Sequence, residues 1–252
     1  MSIFSSNKPA CSSGLDRITA IVLAGGLGTR LRTVVVNQPK VMAQVANRPF
    51  LTYLLEQLNK AGVEKAVLCT GYLADQIRDH FGYEYKNLSL SYSQELIPLG
   101  TAGALRYAWP MIKTPDVLIL NGDSFCDVNL QAFYEFHMAK KAVASICLVK
   151  ADDTSRFGRV ETAEDGTITR FCEKQSSQGP GMINAGIYLL STPLLLTIPE
   201  GRLVSLEKEL FPFWTGKSFY GFAPGSGMFI DIGTPQSLEE AQLALASIPL
   251  PA

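Results

Sequence analysis

The sequence predicts an α/β fold, a mostly parallel sheet with helices on both faces and a mixed-sheet extension in its second half. Three observations lead there. Through the first 150 residues, short apolar runs alternate with segments of helical spacing. Beyond about residue 150 that rhythm gives way to hairpin-like pairs of short strands. The chain has 252 residues, 47% hydrophobic and 18% charged, enough to bury a core without staples.

Residues 18–23 form a near-continuous apolar run that stops at Gly25-Gly26, the look of a strand buried on both faces. Residues 49–61 place Phe50, Leu51, Leu54, Leu55 and Leu58 at helical spacing, with Pro49 at the first turn and Gly62 past the end. A buried strand is expected at 66–69, a helix at 73–81 and an alternating strand at 88–92. A helix at 101–108 is closed by Pro110, and a strand at 117–120 runs into Asn121-Gly122-Asp123. A helix at 129–141 and a strand at 143–149 complete the first half. In the second half, 158–161 and 167–173 read as a hairpin around Asp165-Gly166. Strands follow at 183–190, 219–222 and 228–232, with helices at 204–210 and 235–246. Residues 1–16, rich in Ser, read as a flexible tail, and 17–247 as a single domain with halves at about 17–150 and 151–247. Parallel sheets take ligands at the carboxyl ends of their strands, where residues 24–30 and 121–123 fall.

Composition excludes several functions. Lys+Arg 22 against Asp+Glu 23 leaves no basic run for a nucleic-acid partner. The five cysteines (Cys11, Cys69, Cys126, Cys147 and Cys172) form no C-x-x-C pair, and His80 and His137 are the only histidines, so a Cys/His zinc site has no support. Such usage suits a reducing, cytoplasmic setting. The longest charge-free stretch, residues 175–199, is broken by Gly, Pro, Asn, Ser and Thr, which argues against a membrane span.

The strongest local signal is Leu23-Ala24-Gly25-Gly26-Leu27-Gly28-Thr29-Arg30-Leu31. Glycines after a buried strand let backbone N–H groups approach an anion, and Arg30 adds a forked, permanently charged donor. Lys40, after Pro39, is a second cation. On its own the segment also reads as a glycine-rich turn with two solvated cations. Two other glycine motifs fail. A dinucleotide fingerprint needs a third glycine where Leu31 stands, and a P-loop ending at Gly216-Lys217-Ser218 would need a glycine where Phe211 stands.

Residues 25–40 resemble the signature of the sugar nucleotidyltransferases, the NDP-sugar pyrophosphorylases. Five further segments agree in order: Pro98-Leu99-Gly100-Thr101-Ala102-Gly103, Asn121-Gly122-Asp123, Phe171-Cys172-Glu173-Lys174, Asn184-Ala185-Gly186-Ile187-Tyr188 and Asp231-Ile232-Gly233-Thr234-Pro235. Thr33, Val41 and Gln175 depart from the prolines usual at their positions, which bears on loop shape and removes no chemical group. The resemblance implies a Rossmann-like sheet and a reaction in which an NTP and a sugar 1-phosphate give an NDP-sugar and pyrophosphate. The protein then has to hold two polyanions together and neutralise their charge.

The resemblance also implies roles. Leu23, Ala24, Gly25, Gly26, Gly28, Thr29, Arg30, Lys40, Gly100, Thr101, Gly122 and Asp123 would hold the nucleotide. Arg30, Lys40, Asp123 and Lys174 would serve catalysis. Asp123 and Asp231 would bind Mg²⁺, which takes one or two carboxylates plus phosphate oxygens. Gly103, Glu173, Lys174 and Asn184 would hold the sugar phosphate. Asn184 also reads as a buried amide satisfied by backbone. Glu173 and Lys174 are neighbours that a regular strand would point to opposite faces, so the strand is expected to end or bulge there.

Glu95 lies where the family's base-reading side chain sits. A carboxylate only accepts hydrogen bonds, and guanine offers adjacent N1–H and 2-amino donors, so Glu95 favours GTP. The neighbouring amide Gln94 would reverse that choice if the register moved by one. Three segments around Arg48-Pro49, Asn121-Gly122-Asp123-Ser124 and Ser205-Leu206-Glu207-Lys208 resemble the branch that transfers guanylyl to heptose 1-phosphates. Transfer to mannose 1-phosphate, uridylyl or thymidylyl transfer, and a silent sugar-nucleotide sensor are the alternatives; a homodimer is the assembly to test.

Overall fold

The computed structural model describes residues 14–26, 28, 31, 34–172, 179–225 and 227–246. Strands β1 (Thr19–Leu23), β2 (Gln44–Val45), β3 (Arg48–Pro49), β4 (Lys65–Thr70), β5 (Glu84–Tyr85), β6 (Leu88–Gln94), β7 (Asp116–Asn121), β8 (Ser124–Cys126) and β9 (Ala144–Ala151) precede the hairpin β10 (Arg159–Thr162) and β11 (Ile168–Cys172). Then come β12 (Gly181–Ser191), β13 (Phe219–Phe222) and β14 (Phe229–Asp231). Helices are α1 (Phe50–Lys60), α2 (Ala74–Phe81), α3 (Gly100–Ala108), α4 (Leu130–Lys140), α5 (Thr192–Leu195), α6 (Phe211–Trp214) and α7 (Pro235–Leu245).

One sheet runs β11-β10-β12-β7-β1-β4-β6-β5, with β9 also paired to β12 and β13 to β9. Its centre, β7-β1-β4-β6, is parallel. β12 pairs antiparallel with β7, β9 and β10, and β13 pairs parallel with β9, so the extension is mixed as expected.

The apolar runs are continuous because both faces are buried. Ala20 and Val22, Ala66 and Leu68, and Leu118 and Leu120 pack with α1, α2, α4 and α7 on one face. Ile21, Val67, Cys69, Val117 and Ile119 point the other way, to α3, α5 and α6. Helix starts follow local chemistry. Asn129 Oδ1 accepts from Ala132 N at 3.0 Å to open α4. Thr234 and Ser237 close a reciprocal cap on α7, with Pro235 at its first turn.

Two expectations are corrected. The helix expected at 204–210 begins later, as a π-helical turn at Leu206–Leu210 leading into α6. The Val204 carbonyl is taken by Ala102 N and Gly103 N, and Val204 N bonds to Leu99 O, so Val204 cannot join a helix. Leu15, placed in the tail, is fully buried in a short 3₁₀ turn. β14 falls within the strand expected at 228–232, while β8, too short at three residues to show a period, and its pairing with β14 went unforeseen. No helix among the described residues is long and apolar enough to cross a membrane. The four described cysteines are free thiols.

The ladder of β12 with β9 is irregular between Asn184 and Tyr188. Gly186 makes this possible, with φ +76 and a Cβ position 2.5 Å from Ser124 Oγ. Gly186→Ala is expected to lower unfolding stability by about 1–3 kcal/mol from left-handed strain and overpacking; denaturant melts with an unchanged midpoint would contradict this.

Candidate active site

Register places the site. Leu23, the last residue of β1, aligns with Asn121 on one side and Cys69 on the other. The loops leaving β1 and β7 therefore emerge together at the carboxyl edge. Ala24 N still bonds to Cys69 O at 2.8 Å, and Gly122 N to Leu23 O at 3.0 Å. Only glycine fits at 122, where a Cβ would sit 2.6 Å from Leu23 O. A cavity of about 270 Å³ opens here, walled by Leu23, Ala24, Gly25, Gly26, Gly28, Lys40, Thr101, Asn121, Asp123 and Gly233. A second hollow of about 230 Å³ shares Gly26, Gly28, Leu31 and Lys40 and adds Tyr72. A further cavity of about 520 Å³ beside α1 shares no residue with either.

Lys40 opens a 3₁₀ turn whose next two residues, Val41 and Met42, are buried. Its Nζ donates to Asp123 Oδ2 at 2.7 Å. Asp123 follows β7, and β8 continues at once into an antiparallel ladder with β14 that sets Asp231 opposite Ser124. Ile232 N bonds to Asp123 O at 3.0 Å. The ladder thus carries Asp231 from the end of the chain to Asp123. Asp231 Oδ1 accepts from Gly233 N at 3.0 Å and from Arg156 Nη2 at 3.3 Å. Burial and the nearby Asp123 carboxylate hold the Asp231 carboxyl above the usual range, against the pull of Lys40.

This donor set suits a hard divalent cation that keeps waters and shares phosphate ligands. The protein brings two carboxylates together, and among the described residues no group of three or more His, Cys, Asp or Glu converges.

Glu95 follows β6 directly, with its N–H bonded to Thr70 O at 2.9 Å. Its Oε1 lies 3.1 Å from where a Cβ on Gly25 would stand, and 3.3 Å from that of Gly71. Gln94, one residue earlier, is exposed. So Glu95, rather than Gln94, faces the glycine loop. Glu95 Oε2 accepts from Leu99 N at 3.3 Å, and burial raises its pKa, with the Leu99 N–H opposing.

Thr101 reaches the cavity wall but is tied down. Its Oγ1 donates to Glu207 Oε2 at 2.8 Å and accepts from Leu206 N at 2.8 Å. Gly100 and Gly103 press on the Val204 and Arg202 carbonyls and do not line the cavity. Asn184 donates to Tyr188 Oη at 2.9 Å and accepts from Gly186 N at 2.8 Å. Asn121 Nδ2 also donates to Tyr188 Oη, at 3.2 Å, and that hydroxyl lies 3.4 Å from Glu207 Oε1. Asn184 therefore sits half-buried in an internal network, its Oδ1 on a backbone N–H and its Nδ2 on a side-chain hydroxyl. Thr29, Arg30, Glu173 and Lys174 lie outside the described residues; β11 has its last described residue at Cys172.

Sequence reasoning assigned no role to Asn121, Tyr188, Glu207 or Arg156. The first three stand inside quoted motif segments, so their polar character on buried elements was an available signal. Arg156 sits in no motif and carried none.

A nucleotidyl transferase family model matches residues 19–248. The chain is 38% identical over 227 residues to a D-glycero-alpha-D-manno-heptose 1-phosphate guanylyltransferase of Aneurinibacillus thermoaerophilus, covering 90% of this chain and 97% of the relative. It is 34% identical over 242 residues to a mannose-1-phosphate guanylyltransferase of Mycobacterium tuberculosis, covering 94% of this chain and 67% of that one. The crystal structure of HddC from Yersinia pseudotuberculosis complexed with GMP-PN superposes with a TM-score of 0.80 at 33% identity, covering 90% of this chain and 99% of that chain.

Glu207 accepts from Thr101, Ser205 and Tyr188 in a half-buried position. Glu207→Ala strands those donors and is expected to cost about 1–3 kcal/mol in chemical denaturation; a loss under 0.5 kcal/mol would show the network to be incidental.

Proposed function

The chain belongs to the nucleotidyl transferase family, and from that premise we propose that it transfers the guanylyl group of GTP to D-glycero-α-D-manno-heptose 1-phosphate, releasing pyrophosphate. The observation that carries the reaction is the meeting of the glycine loop, the Lys40–Asp123 pair and Asp231 at one strand edge. The 38% identity to the heptose enzyme supports the sugar, and Glu95 beside Gly25 supports the base.

In this reading the backbone amides of Gly25, Gly26 and Gly28 take triphosphate oxygens, with Thr29 and Arg30 beside them. Asp123 and Asp231 would hold Mg²⁺, which would supply neutralisation of the phosphate charge. Lys40 leaves its ion pair with Asp123 to face the phosphates. Glu95 accepts from the guanine N1–H and 2-amino group. Lys174 steadies the sugar phosphate while Glu173 and Asn184 face sugar hydroxyls. A phosphate oxygen of the sugar 1-phosphate attacks the α-phosphorus in line. The new P–O bond forms as the bond to the bridging oxygen breaks, and pyrophosphate leaves with the electron pair. No protein nucleophile is required; the chain contributes positioning and charge. The reading includes a homodimer working in the cytoplasm.

Pyrophosphate release over GTP, UTP, dTTP and ATP, each with heptose, mannose and glucose 1-phosphates, tests the assignment. GTP with the heptose 1-phosphate is expected to give the highest kcat/KM. A maximum with mannose 1-phosphate would favour the second relative's activity, and no release with any pair would favour a sensor.

Asp123→Ala is expected to lower kcat by about 10²–10³ with an unchanged melting profile. Activity within threefold of the parent would remove Asp123 from the chemistry.

Glu95→Gln replaces an acceptor with a donor and is expected to reduce the GTP/UTP ratio of kcat/KM by about 5- to 150-fold. Burial holds Glu95 above the usual carboxylate range, so it takes up its proton at a higher pH than an exposed Glu would. The protonated form turns an O–H toward guanine donors. KM for GTP should therefore climb as pH falls into the acid range, and the Gln variant should lack that climb. Identical pH profiles would mean the base is read elsewhere.

A further inference from the structure

Each candidate metal carboxylate has its own cation. Lys40, from the first half of the chain, takes Asp123. Arg156, from the second half, takes Asp231 at 3.3 Å. The second pair is carried by the loop between β9 and β10, and that loop is fixed at three points. Ser155 N and Oγ both donate to the Asp153 carboxylate, at 2.9 and 2.8 Å. Thr154, which is buried, donates from both N and Oγ1 to Gly179 O at 3.3 Å. Phe157 stacks edge-on against Phe229 of β14, the strand that ends in Asp231, with centroids 5.4 Å apart. The Arg156 guanidinium lies 5.6 Å from the Phe157 ring. The same residues that anchor the loop thus aim its cation at Asp231.

The surroundings narrow what this cation does. Arg156 lines a cleft of about 420 Å³ with Lys150, Asp231 and Glu240. Glu240 already accepts from Gln236 Nε2 at 2.9 Å. Arg156 is 44% exposed while Asp231 is 22% exposed, so the guanidinium can swing out and the carboxylate stays. Gly179, the loop's anchor, belongs to the half of the chain opposite the glycine loop. A divalent cation on Asp231 and a guanidinium on the same oxygen exclude one another by charge.

We propose that Arg156 is a phosphate-binding cation of the active site, parked on Asp231 when no metal is bound and turned onto the phosphate of the sugar 1-phosphate once a divalent cation takes Asp231. The bidentate fork suits a terminal phosphate, and the parked position keeps the carboxylate pair neutralised between turnovers. The inference rests on Asp231 as a metal ligand.

Mn²⁺ titration of the substrate-free protein, read by electron paramagnetic resonance, tests the parking. Arg156→Ala should bind Mn²⁺ about two- to fivefold more tightly, the scale of a lost exposed ion pair. In turnover and in calorimetry, the same variant should bind heptose 1-phosphate at least about tenfold more weakly, with GTP affinity unchanged and Arg156→Lys intermediate. Unchanged or weakened Mn²⁺ affinity, or an unchanged response to the sugar phosphate, overturns the proposal. Asp231→Asn is the control. If it binds Mn²⁺ as the parent does, the metal reading of Asp231 falls; if it loses Mn²⁺ while Arg156→Ala changes nothing, only the role of Arg156 falls.

Discussion

Two carboxylates brought together in a half-buried place repel, and the arrangement stands only if cations neutralise them. The site around Asp123 and Asp231 is organised by that constraint. Burial first, and the Asp123 carboxylate second, hold the Asp231 carboxyl above the usual range. Lys40 and Arg156 neutralise the pair from opposite halves of the chain. Such an arrangement is a poor way to stabilise a fold. It is a good way to keep a charged site ready for a divalent cation and polyanionic substrates.

The sheet makes the convergence possible. Parallel β1, β4, β6 and β7 send their carboxyl ends to one edge, where the glycine loop, Glu95 and the Gly122–Asp123 turn gather. The chain builds β4 and β6 on one side of β1 and then crosses to β7 on the other, the kind of switch in strand order that opens a crevice. β8 and β14 then add a two-stranded clasp, and this small ladder is what delivers Asp231.

A polar seam joins the halves. Thr101 at the start of α3, Glu207 on the π-helical turn and Tyr188 of β12 form one chain of hydrogen bonds that reaches Asn121 and Asn184. Its groups come from α3, the π-helical turn, β7 and β12. A nucleotide seated against Thr101 and a sugar seated against Asn184 would therefore rest on one framework.

The order of strands and helices in the first half was legible because burial on both faces leaves apolar runs that need no partner to be recognised. The glycine loop, Asp123 and Asp231 were legible as residue types at the ends of expected strands, Lys40 as a cation after Pro39, and Glu95 only through the family resemblance. Tertiary structure alone chose between Glu95 and Gln94, since one register position on β6 decides which side chain turns to Gly25. It alone tied Asn184 to Tyr188 and pressed Gly103 against Arg202. It alone moved the helix start past Val204, because that carbonyl serves α3. And it alone paired Arg156 with Asp231. Local pattern reports what a segment buries and how often; which distant group it meets depends on ladders and loop anchors closed over long separations, which no window of sequence contains.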